Sequence, residues 1–178
     1  GRVTAEFEMA EPGKFAATNP EIYGQGSFSK KADCNGYEVI VDTKGTLLWP
    51  DAADMEKPYL ILTGENVTKE YLDYLDGQHI SWIACGKKNV DLVRAVEILS
   101  EQFHVERMGI VGGPKINTAF LKAGLLDEIS ILIGAGIDGR GGMPAVFDGL
   151  EMSHDVTALK LTDVQKFDSG AVWIRYAV

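Results

Sequence analysis

The chain has 178 residues, of which 46% are hydrophobic and 24% charged, and it carries a net charge of −9. That length and balance lead us to expect a single domain over residues 1–178 with a sizeable core. The negative balance, with no basic block, argues against nucleic acid or an anionic membrane as the main partner, and no apolar run reaches the roughly 18 residues of a membrane span.

Residues 1–7 open abruptly, with no visible signal peptide. Residues 8–36 are rich in Gly, Pro, Ser, Asn and charge, so they are expected to form a long excursion of the kind that is usually functional or mobile. Residues 37–41 form a candidate strand, followed by a Thr43-Lys44-Gly45 turn and a polar connection to Pro58. Residues 59–63 (Tyr-Leu-Ile-Leu-Thr) read as a strongly apolar strand. Thr68 is placed to cap a short helix with Tyr71, Leu72 and Leu75 on its apolar side, and Asp76-Gly77 should end it. Residues 80–85 are the next strand. Asn89 is the expected cap of a longer helix carrying Leu92, Val96, Leu99 and Phe103. Cys34 and Cys85 lie far apart and match neither a disulfide framework nor a zinc pattern, so a reducing cytoplasm is the expected location.

Residues 107–128 carry the strongest organisation. Residues 108–111 are a short apolar run, expected to be a strand buried on both faces. Gly112 and Gly113 let the backbone turn sharply. Pro114 suits a first helical position, and Ile116, Phe120 and Ala123 form one apolar face. Gly124 is placed to end the helix in a left-handed conformation. A helix start reached through two glycines directs free N–H groups at one spot, where an anion such as phosphate is the natural ligand and Lys115 adds charge. A tight turn with no ligand fits the same residues equally well. Residues 129–133 are another apolar strand. Leu159 and Leu161, the Asp168-Ser169-Gly170 turn and the alternation from Val172 to Val178 give a terminal antiparallel hairpin. Strands alternate with helices from residue 59, so the expected class is α/β with a mostly parallel sheet covered on both faces. Three segments then fall at strand carboxyl ends: 63–65, 85–87 and 111–113.

The run from Gly112 through Ile133, continuing into Gly136-Ile137-Asp138-Gly139 and Pro144-Ala145-Val146-Phe147, resembles the reductase domain of bacterial riboflavin biosynthesis, a pyrimidine reductase with the dihydrofolate-reductase-like fold. Gly1-Arg2-Val3-Thr4 resembles the Gly-Arg-x-Thr segment of that superfamily, and the closing hairpin also fits. The resemblance implies binding of NADPH, with NADH as the alternative, and hydride transfer to a small heterocyclic or ring-opened substrate. By position it implies that Gly112, Gly113, Pro114, Lys115 and Ile116 hold the pyrophosphate. Gly1, Arg2 and Thr4 would lie near the phosphates, Thr63 near the adenosine ribose and Gly86 near the adenine. It also implies a homodimer.

Two departures qualify this. The family's first strand, turn and helix are not found ahead of Gly1. Val111 stands where the family often has Glu, so the substrate contact of that carboxylate is not carried over, and a less polar substrate is expected. Val111 and Asp138 are the candidate substrate-facing positions, although Asp138 suits a turn role better. His79, His104 and His154 are scattered without metal spacing, and no nucleophile–base pair emerges. Hydride transfer needs none, because the cofactor carries the chemistry. A nucleotide-binding or regulatory protein that keeps the cleft without catalysis is the alternative. Glu65, after the 59–63 strand, would repel a 2′-phosphate and suit a 2′-hydroxyl.

Overall fold

The two strongest apolar runs become adjacent parallel strands. In the computed structural model, which describes residues 2–143 and 145–178, residues 1–109 and 110–178 are two compact units. The first contains α1 (Arg2–Glu8), β1 (Ser27–Ser29), β2 (Glu38–Val41), β3 (Tyr59–Thr63), α2 (Lys69–Gly77), β4 (Ser81–Ala84) and α3 (Leu92–Phe103). Its sheet has the order β1-β4-β3-β2. β2, β3 and β4 are parallel, with Ile40 beside Ile61 and Ile61 beside Trp82. β1 lies antiparallel on the edge, Ser27 opposite Ala84.

Successive strand residues face opposite sides of a sheet, and both sides here are covered. Ile61, Trp82 and Ala84 pack with Tyr71, Leu72 and Leu75 of α2 and with Leu47 and Trp49. Leu60, Leu62, Ile83 and Cys85 pack with Ala95, Ile98, Leu99 and Phe103 of α3. Thr68 caps α2 by accepting from the Tyr71 N–H, as expected. The cap of α3 is Asp91, not Asn89: its carboxylate accepts the Arg94 N–H at 3.0 Å. Capping from Asp91 turns Ala95 and Ile98 into the core along with Leu99 and Phe103.

The long excursion is pinned rather than free. Glu11 bridges to Leu48 and Ile22 to Thr68, while the Glu70 carboxylate accepts the N–H groups of Thr18 and Asn19, both at 2.8 Å. Below it a buried carboxylate organises the turn after β2. Asp42 accepts the N–H groups of Thr46 (2.7 Å) and Leu47 (2.9 Å) and the hydroxyl of Tyr71 (3.2 Å). The single Tyr71 O–H proton is shared between that carboxylate and the Leu47 carbonyl (3.1 Å), and the hydroxyl oxygen accepts the Trp49 indole N–H.

The second unit contains α4 (Pro114–Lys122), β5 (Glu128–Ile133), β6 (Lys160–Lys166) and β7 (Val172–Ala177). Its sheet, ordered β5-β7-β6, is antiparallel throughout. α4 starts and stops as the sequence predicts, with Pro114 in its first turn and Gly124 left-handed just past its end. Two expectations are corrected. Residues 108–111 form no strand, and Val111 is 96% exposed. Their run is interrupted by Gly109 and has no partner strand in the parallel sheet. β5 does form from the apolar run at 129–133, but it pairs with β7, antiparallel, rather than extending the parallel sheet.

Candidate functional site

Parallel strands deliver their carboxyl ends to one edge, so the turns after β2, β3 and β4 meet in the first unit. The Gly64 N–H donates to the Thr43 carbonyl (3.0 Å), and the Glu65 N–H to the Gly86 carbonyl (2.9 Å). The Gly86 N–H returns the contact, donating to Glu65 Oε1 at 3.1 Å. The Asn66 side-chain amide closes the set on the Lys87 carbonyl. Gly86 has φ +87°, and a Cβ there would lie 2.2 Å from the Asn89 carbonyl oxygen. Only glycine allows the chain to turn this tightly from β4 toward α3.

Beside these turns is a cleft of about 590 Å³. Gly26, Phe28, Glu65, Lys87, Arg94 and Ile98 are among its lining residues. Phe28 and Ile98 supply apolar wall, and the three charged residues supply polar contacts. Arg94 is engaged with Glu97 at 2.7 Å, and Asp91 with the start of α3. Among the described residues Glu65 has no ion-pair partner. Cys85 also lines the cleft. Burial pushes its thiol up to about 11, and the thiol donates to the Asp91 carbonyl. It is thus a wall group and not a nucleophile.

The residues named from the sequence fall in several places. Gly86 belongs to the cleft. Thr63 is buried at the end of β3, and its hydroxyl has no hydrogen-bond partner. Arg2 donates to Thr46 Oγ1 (3.1 Å) and lies 3.5 Å from both Asp42 and Glu6, so its guanidinium fastens α1 to the turn after β2. Thr4 is exposed on α1, and Gly1 lies outside the described residues.

In the second unit Gly112, Gly113, Pro114, Lys115 and Ile116 form the approach to and first turn of α4. Gly113 has φ +59° and ψ 138°, and a Cβ there would meet nothing within 4 Å. The space beside it is open. Val111 is exposed, in irregular backbone. Asp138 forks onto Arg140 at 2.5 and 2.8 Å, which holds its carboxyl below the usual range. Pro144 lies outside the described residues. His79 pairs with Asp51 at 2.9 Å, and His104 ends α3 in a left-handed conformation. Among the described residues no group of His, Cys, Asp and Glu could hold a metal ion, and no helix is long and apolar enough to cross a membrane.

The sequence reading passed over Phe28 and Arg94. Phe28 sits in a three-residue edge strand inside a polar excursion, too short for alternation to register. Arg94 is reached only once Asp91 is taken as the cap three residues before it.

The lining mixes apolar and charged residues, and the volume lies within the usual range of small-molecule pockets. Among solved structures, the chain resembles a pyrimidine reductase-like protein from Corynebacterium diphtheriae at 18% identity and a TM-score of 0.64, covering 80% of this chain and 60% of that one. It also resembles RibD from Acinetobacter baumannii in two forms. Form 2 has 23% identity and a TM-score of 0.56, and form 1 has 24% and 0.54; each match covers 78% of this chain and 36% of that protein. This chain therefore spans only part of those relatives. The likeness establishes the dihydrofolate-reductase-like α/β fold. Residues 11–173 match the family model described as the RibD C-terminal domain, and the protein belongs to that family.

Proposed function

We propose that the chain is a reductase that transfers hydride from a nicotinamide dinucleotide to a small heterocyclic substrate of the pyrimidine class. The observation that carries this reading is the cleft at the carboxyl ends of β3 and β4, found in a chain of the RibD C-terminal family. Gly86, Phe28 and Ile98 would hold the adenosine half. Independently of the cleft, and resting on the family resemblance of the 112–116 turn, the open space beside Gly113 would admit an anion close to the backbone, with Lys115 adjacent. The dinucleotide supplies the hydride. The chain's residues bind and orient the dinucleotide.

Calorimetric titration of NADH and NADPH against wild type and Gly113→Val tests the binding half. We expect at least about tenfold weaker binding in the variant, because a branched side chain at a left-handed position blocks close approach. Equal affinity would remove 112–116 from the account. Oxidation of the bound cofactor on adding a pyrimidine substrate tests the chemistry. Binding without oxidation would instead favour a nucleotide-binding protein that has lost the reaction, a reading to which Val111 in place of a carboxylate lends support.

We also propose a homodimer. Val172, Ile174 and Tyr176 share one face of β7 with Ile131 and Val164 across its two neighbours, an apolar surface suited to a second copy. Light scattering at a mass of 19.4 kDa, rather than twice that, would overturn it.

A further inference from the structure

We propose that Glu65 sets the cofactor preference, favouring a dinucleotide whose adenosine ribose carries free 2′- and 3′-hydroxyls over one bearing a 2′-phosphate. This rests on the reading of the cleft as a cofactor site. Glu65 directly follows the Thr63-Gly64 end of β3 and is tied at both ends to the turn after β4. Its N–H donates to the Gly86 carbonyl at 2.9 Å, and its Oε1 accepts the Gly86 N–H at 3.1 Å. Gly26 closes in from the other side, where a Cβ would lie 3.6 Å from the same oxygen. The carboxylate is therefore held in the wall of the cleft. Oε2 has no hydrogen-bond partner among the described residues.

An ionised carboxylate only accepts, and a vicinal diol offers two O–H donors. A 2′-phosphate brings further negative charge and acceptor oxygens, and so meets repulsion where the diol meets a partner. The other charged groups of the lining do not reverse this. Asp91 is negative and occupied in capping α3. Arg94 is paired with Glu97. Lys87 is exposed, so its charge is hydrated and screened, whereas Glu65 is half-buried and tethered.

The test is calorimetry of four probes against wild type, E65Q and K87Q: NADH, NADPH, and ADP-ribose with and without a 2′-phosphate. We expect wild type to bind NADH at least about tenfold more tightly than NADPH, a difference of about 1.4 kcal/mol, and to show the same ratio with the ADP-ribose pair. Raising salt should narrow the gap, because the discrimination is electrostatic. E65Q keeps an oxygen for the Gly86 N–H and so keeps the turn; its ratio should fall to within about threefold. K87Q should leave the preference for NADH in place. A wild type that prefers NADPH, or an E65Q with an unchanged ratio, would overturn the proposal and leave the cofactor site standing. If none of the four probes binds wild type, the site itself falls and the proposal with it.

Discussion

In the sheet of residues 1–109, β3 and β4 are covered on both faces and read in sequence as mostly apolar runs without alternation. In the sheet of residues 110–178, β7 alternates instead: Val172, Ile174 and Tyr176 share one face, and Trp173 and Arg175 the other. The second face is a polar lattice. Trp173 donates to the Ser130 hydroxyl at 2.7 Å, Arg175 to Asp163 at 2.6 Å, and the Arg175 guanidinium lies 4.7 Å from the Trp173 ring. The comparison teaches that strand pattern reports what covers a strand. A run without alternation marks a strand between two helical layers, and alternation marks a sheet with one apolar side. It also shows where stability concentrates. The parallel sheet holds Leu60, Ile61 and Ile83 at 0% exposure, and the antiparallel sheet holds nothing comparable among the described residues.

The largest expected effect therefore falls in the parallel sheet. Ile61→Ala should lower the unfolding free energy by about 2–5 kcal/mol, because it deletes a fully buried side chain between β2, β4 and α2. Urea denaturation measures it, and a change below about 1 kcal/mol would break the contrast between the two sheets.

A second comparison sets two of the positive-φ glycines against each other. Gly86→Ala must push a Cβ into the Asn89 carbonyl oxygen at 2.2 Å and the Asp91 nitrogen at 2.6 Å. The expected destabilisation is about 3 kcal/mol, combining overpacking with backbone strain. Gly113→Ala meets no atom, so only the strain of about 1–2 kcal/mol remains. Equal losses at the two positions would mean that packing around Gly86 does not fix the turn.

The smallest effect concerns the cleft wall. With its thiol raised from 9.0 to about 11, Cys85 should carry about a hundredfold less thiolate at pH 8 than an unperturbed cysteine, and alkylate correspondingly slowly. The folded state keeps this proton longer than the unfolded chain does. Its contribution to stability is thus complete below pH 9 and is lost as pH rises toward 11. Mass-resolved alkylation of Cys34 and Cys85 across that range measures it. Prompt labelling of Cys85 at pH 8 would contradict a closed wall.

Much of this fold was legible. Thr68, Pro114 and Gly124 act locally, through a side-chain cap, a fixed φ and a positive φ, so sequence is enough to place them. The errors share a cause. Residues 108–111 look like a strand because apolar residues cluster there, yet a strand needs a partner ladder, which no local pattern supplies. Asn89 and Asp91 are both good caps, and packing of Ala95 and Ile98 decides between them. At the candidate site Gly86 was legible as punctuation, whereas the tether between Glu65 and Gly86 joins residues 21 positions apart and exists only once β3 and β4 are side by side.

The buried Asp42 carboxylate has a consequence in time as well as in space. The Thr46 and Leu47 amides belong to no strand, and by position alone they would exchange with solvent deuterium as fast as any loop. Both donate to one carboxylate oxygen, which also receives the Tyr71 hydroxyl from α2. Releasing either proton therefore requires α2 and the turn to part, an excursion on the scale of core opening. In hydrogen exchange these two loop amides should rank with those of β3, and the clock that governs them should be the breathing of the first unit's core.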